Sequence, residues 1–164
     1  MDRAAHAGRL TVRHRGAARF LGSGEVSGAP PVVPVRFAGY AAIFGQRDLG
    51  GDVIQPGAFA RSLAARASDG PLPVFWQHRP DRRIGTIDTI AEDERGLRVI
   101  GTLTDAGAAA LLRDRTVRGL SFGYCATAAR RTAAGRDLQA VDLFEVSLVT
   151  QPMQPLAQVH LVRP

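Results

Sequence analysis

Two apolar segments of strand length, Ile84 to Ile90 and Leu97 to Leu103, lie either side of the turn-forming run Ala91-Glu92-Asp93-Glu94-Arg95-Gly96. A link of six residues is too short for the crossover that parallel strands need, so the two segments are expected to pair as an antiparallel hairpin. In the second arm Leu97, Val99, Gly101 and Leu103 share one face by the two-residue strand period, and that face is expected to be buried.

The same reading extends along the chain. Val32 to Phe44 is extended, broken by Pro34 and Gly39, and a turn-rich stretch runs from Gly45 to Asp52. Gln55-Pro56-Gly57-Ala58-Phe59 opens a short helix to about Ala67, with Phe59 and Leu63 on one face. Val74 to Gln77 is a short apolar strand that ends directly at His78. Thr104 is placed to cap a helix from Asp105 to about Arg115, with Leu111 and Leu112 on its buried side. Leu120 to Cys125, Val141 to Thr150 and Gln158 to Val162 are further strands, and Ala126 to Arg136 reads as a polar loop. Six or seven strands and two short helices, without regular alternation, predict a mainly β fold: an antiparallel β-barrel with appended helices.

A chain of 164 residues fits one domain, placed at residues 32–164. Residues 1–31, rich in Arg, Ala, Gly, Ser and Pro, read as a flexible basic tail or a pro-segment. The single cysteine excludes an internal disulfide framework, and no Cys/His group has zinc-ligand spacing, so no metal or cofactor is expected. With neither a secretory apolar stretch at Met1 to His6 nor a run of about 20 apolar residues, a soluble cytoplasmic protein with no membrane partner is expected.

The net charge of +6 points towards nucleic acid until it is located. All 21 basic residues are arginine; residues 1–36 hold six of them against Asp2 and Glu25, and the remainder holds fifteen against thirteen acids. A body that close to neutral is a poor footprint for DNA or RNA.

Three residues suggest chemistry. His78 is the only histidine at the edge of an expected core strand; His6 and His14 fall in the tail, and His160 lies four residues from the end. Ser121 sits in Gly119-Leu120-Ser121-Phe122-Gly123, where small neighbours would let a substrate backbone approach the hydroxyl. A serine needs a base within hydrogen-bond reach to act as a nucleophile. Glu145 is embedded in the apolar strand Leu143-Phe144-Glu145-Val146-Ser147-Leu148-Val149 and is costly there unless paired; orienting an imidazolium is one such pairing, with Asp142 the weaker candidate. Cys125, four residues on from Ser121, is the rival nucleophile. The Gly-x-Ser-x-Gly pattern also fits a nucleophile elbow, which would use Ser121, Glu145 and His160, but the residues after Ser121 read as continuing strand rather than helix.

Taken in order, Gly39-Tyr40-Ala41 to Asp52, Pro56-Gly57-Ala58-Phe59, the strand ending in His78, Ile84-Gly85 with Gly96-Leu97, Gly119 to Tyr124, and Glu145-Val146-Ser147-Leu148-Val149-Thr150 resemble the prohead proteases of tailed bacteriophages, from about Phe37 to Val159. The resemblance implies a serine endopeptidase related in fold to the herpesvirus assemblins. It would act inside an assembling prohead in the bacterial cytoplasm, with scaffold and the N-terminal segment of the major capsid protein as substrates, and often its own chain. By position Ser121 would be nucleophile, His78 general base and acid, and Glu145 the third member. The resemblance calls for no cofactor and leaves room for a homo-oligomer. Two departures stand out: no asparagine follows Pro152, and no arginine pair follows Glu145, so the oxyanion donor is unassigned. The alternative from another class is a scaffold-like capsid-assembly protein that binds coat protein without cutting it.

Overall fold

The structure, a computed structural model, describes residues 33–163; the expected tail at residues 1–31 lies outside them. Eight strands and two short helices follow one another as β1 (Val35–Ile43), β2 (Asp52–Ile54), α1 (Ala60–Ala65), β3 (Leu72–Trp76), β4 (Arg79–Glu92), β5 (Gly96–Leu103), α2 (Ala106–Arg113), β6 (Gly119–Thr132), β7 (Gly135–Val149) and β8 (Val159–Arg163). The expected mainly β fold with appended short helices is what forms, with eight strands in place of six or seven. The sheet runs β2-β7-β3-β4-β5-β1-β8, with β6 on the other edge of β7.

As a ladder the sheet stays open. Among the described residues its ends meet only at an isolated bridge between Gly119 and Gln158, where Val159 N–H donates to Arg118 O (2.8 Å) and Leu120 N–H to Ala157 O (2.9 Å). Beyond Leu120 no strand pairs with the outer edge of β6 among the described residues. The sheet is also not wholly antiparallel: β2 and β3 both pair with β7 in parallel.

The hairpin of β4 and β5 forms as the sequence predicts, and Leu97, Val99 and Leu103 are fully buried. Together with Val35, Val74, Ile84, Leu120, Val146 and Leu148 they make one core. The residues expected to be a polar loop, Ala126 to Arg136, are instead the distal arms of a long β6–β7 hairpin, paired from Gly119–Val149 out to Thr132–Gly135. These arms project past the core, where neither face needs to be apolar, so the alternation that marks a buried strand is missing. In α2 the cap is Asp105 rather than Thr104: its carboxylate accepts from Ala108 N–H (2.8 Å), and Ala108, Ala109 and Leu112 form the buried side.

Candidate active site

β7 is the strand on which the site is built, and each part of its edge opposite β6 has a different partner. β2 pairs with residues 136–138, and β3 pairs with residues 146–148. Between them α1 and its approach take over: Ala58 O accepts from Val141 N–H (2.9 Å) and Ser62 Oγ from Leu143 N–H (2.9 Å). At the changeover the β6–β7 register slips, because Gly123 opposes Glu145 while Tyr124 opposes Leu143, leaving Phe144 unpaired and exposed. A bulge of this kind re-aims side chains. Val141 and Leu143 point into the core on one side of it, and Val146 and Leu148 on the other. The inversion of parity puts Glu145 and Ser147 together on the face away from the core.

Ser121 lies directly opposite Ser147, and Gly123 directly opposite Glu145. Opposed residues of an antiparallel pair share a face, so the Ser121 hydroxyl is on the same face as Glu145 and Ser147. Gly123 makes that arrangement possible: a Cβ there would lie 2.7 Å from Glu145 Oε1. At Gly119 a Cβ would meet Val149 O at 2.6 Å. Both glycines therefore also serve packing within the protein, beside the role in substrate approach expected from the sequence.

His78 reaches this face from the β3–β4 turn. Gln77 and His78, the two residues of that turn, have φ of 53° and 57°, a region that non-glycine residues seldom occupy. Contacts with β7 hold them there. Gln77 N–H donates to Leu148 O (3.0 Å), Gln77 Nε2 to Thr150 Oγ1 (3.1 Å), and His78 N–H to Ser147 Oγ (3.1 Å). The imidazole Nδ1 lies 2.6 Å from Glu145 Oε1. An ionised carboxylate only accepts, so the contact assigns the ring proton to Nδ1 and leaves Nε2 as the acceptor of the neutral ring. Ser147, fully buried, donates to Glu145 Oε2 (2.7 Å) while accepting from the His78 backbone. One hydroxyl thus ties the acid to the residue it orients. The side chain of Glu145 is 12% exposed and that of His78 is 43% exposed, so the carboxylate is enclosed and the imidazole open to solvent.

Of the candidates from sequence, the structure brings His78 and Glu145 into direct contact and sets Ser121 on the same face, 7% exposed. No hydrogen bond joins Ser121 to His78 among the described residues; such bonds are often long before substrate arrives. Asp142 is elsewhere, in an exposed ion pair with Arg61 (2.8 Å). His160, on β8, packs edge-on against Tyr40. Cys125 is exposed, opposite Asp142. The elbow arrangement fails on topology, since β6 continues as strand to Thr132. Sequence reasoning missed Ser147, although its signal was present: with Glu145 it is the only other polar residue in an apolar strand, two positions away.

Ser121 also lines a cavity of about 300 Å³, together with Ile54, Leu120, Phe122 and Met153. Asp52, buried, is among the lining residues and accepts from Arg136 Nε (2.8 Å), from Arg136 Nη2, and from Tyr124 OH (3.0 Å). The Arg136 guanidinium holds the Asp52 carboxyl below the usual carboxylate range, and burial, with Asp52 beside it, pushes the Tyr124 phenol up to about 12.

A sequence profile of the caudovirus prohead serine proteases matches residues 33–163. The chain belongs to that family. It is 36% identical over 136 residues to the prohead protease of Enterobacteria phage HK97, an alignment covering 77% of this chain and 60% of that one. The chain thus spans well under two thirds of that relative. A capsid polyprotein of Pseudomonas phage PAJU2 is 29% identical over 106 residues, covering 57% of this chain and 16% of that one. In fold, the chain is similar to the capsid assembly protease of bacteriophage T4 (TM-score 0.60, 9% identity, 70% of this chain and 80% of that one). It is also similar to the KSHV protease bound to a hexapeptide phosphonate inhibitor (TM-score 0.57, 13% identity, 80% and 66%). Family and fold therefore agree with the resemblance carried by the motifs.

Proposed function

We propose that this chain is a serine endopeptidase of capsid maturation, cutting scaffold and the N-terminal segment of the major capsid protein inside the prohead, with its own chain as a further substrate. The observation that carries this reading is the Glu145–His78 contact on the face that presents Ser121. His78 Nε2 would take the proton from Ser121 Oγ as the oxygen attacks the scissile carbonyl. It would return that proton to the leaving amine, giving an acyl-serine. Water, deprotonated by the same nitrogen, would then release the acid and restore the serine. Glu145 would stabilise the imidazolium that forms between the two transfers and fix its tautomer. The unpaired outer edge of β6 beyond Leu120 suits an extended polypeptide, since an added strand can use its free backbone groups.

The test is mass spectrometry of the coat protein and of this chain after co-expression. Wild type is expected to yield defined truncated products, and Ser121→Ala is expected to yield none while keeping its fold by circular dichroism. Equal processing by Ser121→Ala would sink the assignment. Uncut coat protein that still co-purifies with wild type would favour the non-catalytic assembly protein.

A further inference from the structure

We infer that the outer edge of β8 takes up an extended acidic segment of a partner protein as an added strand. β8 ends the sheet, and only its start is held from outside: Val159 N–H donates to Arg118 O beside the Gly119–Gln158 bridge. That bridge is antiparallel, so residues 160–163 run alongside the connection from α2 to β6, on the side of the bridge away from Ser121. No backbone hydrogen bond joins these two stretches among the described residues. A cavity of about 380 Å³ is lined by three successive residues of β8, His160, Leu161 and Val162, and by Arg113 and Arg115. Backbone groups on an open edge are available to a further strand. Leu161, 48% exposed, offers such a strand an apolar contact.

The charges select the strand. Arg113, Arg115 and Arg118 on the connection stand against Asp114 alone. Arg163 lies directly opposite Arg36 of β1, and like charges so placed are destabilising. Partial burial, with Arg95 and Arg118 nearby, holds the His160 imidazole below its ordinary value, so the ring adds no charge at neutral pH. Among the surrounding acids Asp93 is paired with Arg98 (3.8 Å), which leaves Asp88, Glu94 and Asp114 against these six arginines. The excess stands even with the carboxyl group of Pro164, outside the described residues, set against Arg163. Arg115 follows the α2 cap with φ of 58°, where glycine is the usual residue. Backbone geometry alone would favour glycine there; arginine brings a charge to the cavity despite the strain. A second copy would bring the same excess, and residues 1–32 hold five arginines against Asp2 and Glu25. Aspartate and glutamate side chains of another protein complement the edge instead.

The experiment titrates the full chain into a fluorescent peptide of alternating glutamate and valine and follows its anisotropy. Two further peptides serve as controls: one with glutamine for glutamate, and one methylated at every backbone nitrogen, which keeps the charges and cannot donate to a strand. The glutamate peptide is expected to bind, more weakly as salt rises. Each control is expected to bind at least about tenfold more weakly. Arg113→Gln combined with Arg115→Gly is expected to weaken the glutamate peptide by about tenfold, and the glycine relieves the strained position. Equal binding of the methylated peptide would overturn the inference, since charge alone would then suffice. So would an unchanged affinity in the folded double variant, or no binding at all. A single-stranded oligonucleotide that binds more tightly through the same two arginines would also overturn it, in favour of phosphate. The three peptides on wild type decide the matter should the variant fail to fold. None of these outcomes involves Ser121, so the peptidase reading stands or falls separately.

Discussion

Two buried carboxylates, Glu145 on β7 and Asp52 on the neighbouring β2, are held in opposite ways. Asp52 faces a guanidinium and a phenol; Glu145 faces an imidazole and a serine hydroxyl. A guanidinium keeps its proton throughout the working pH range, so Asp52 sits in a fixed pair with nothing to exchange. In the proposed mechanism the imidazole takes up a proton and passes it on, so Glu145 would stand beside a charge that comes and goes during the reaction. Both acids are costly to bury, and both are satisfied. If the proposed mechanism holds, the partner, not the burial, separates a structural acid from a working one.

Substitutions at the two acids should divide cleanly. After the complete loss expected at Ser121, the largest effect belongs to Glu145→Gln, which keeps the shape and removes the charge. It should lower kcat by about 10³- to 10⁴-fold, as loss of the orienting acid does in serine triads, with little change in melting temperature. A kcat within tenfold of wild type would put Glu145 in the same class as Asp52. Ser147→Ala is expected to cost about 10- to 100-fold, the worth of one hydrogen bond to a charged group. Because the lost donor served the carboxylate that supports the imidazolium, the pH–rate profile should move as well, and Ser147→Thr should recover part of the rate. A fall in stability with an unmoved pH profile would reduce Ser147 to packing.

The smallest effect is expected at Asp52, and it should appear in stability. Its folded-state pKa is depressed, so the stabilisation it brings is complete above the ordinary carboxylate value of about 4 and disappears as pH falls through the folded value. Asp52→Asn should lower the melting temperature at neutral pH by about 5 °C, with the gap to wild type closing in acid. A gap that does not narrow as the pH falls would mean that the pair contributes through shape rather than charge.

Much of this was legible in the chain before any coordinates. Glu145 in an apolar strand demanded a partner, and the scarcity of histidines left His78 as the one to supply it. The β4–β5 hairpin followed from alternation alone. What escaped notice lacks a local signature. The distal arms of β6 and β7 have two polar faces and so read as a loop. β2, three residues long, is a strand through its pairing with β7 and a bridge from Val53 to Arg47. The bulge at Phe144 is a slip in pairing between two strands and cannot be seen in either one singly. The Asp52–Arg136–Tyr124 group joins residues more than seventy positions apart, with no spacing rule to announce it.

The turn that carries His78 has a thermal consequence. Neither Gln77 nor His78 is suited to positive φ, and each such residue costs on the order of 1–3 kcal/mol that its surroundings must offset. The offset comes from β7 and the residue that follows it, through Leu148, Ser147 and Thr150. When those few bonds open, the turn relaxes towards ordinary backbone and carries the imidazole away from Glu145, while the core beneath remains intact. On warming, the activity proposed for this chain is therefore expected to fall reversibly before the fold melts, because local openings of this kind precede global unfolding.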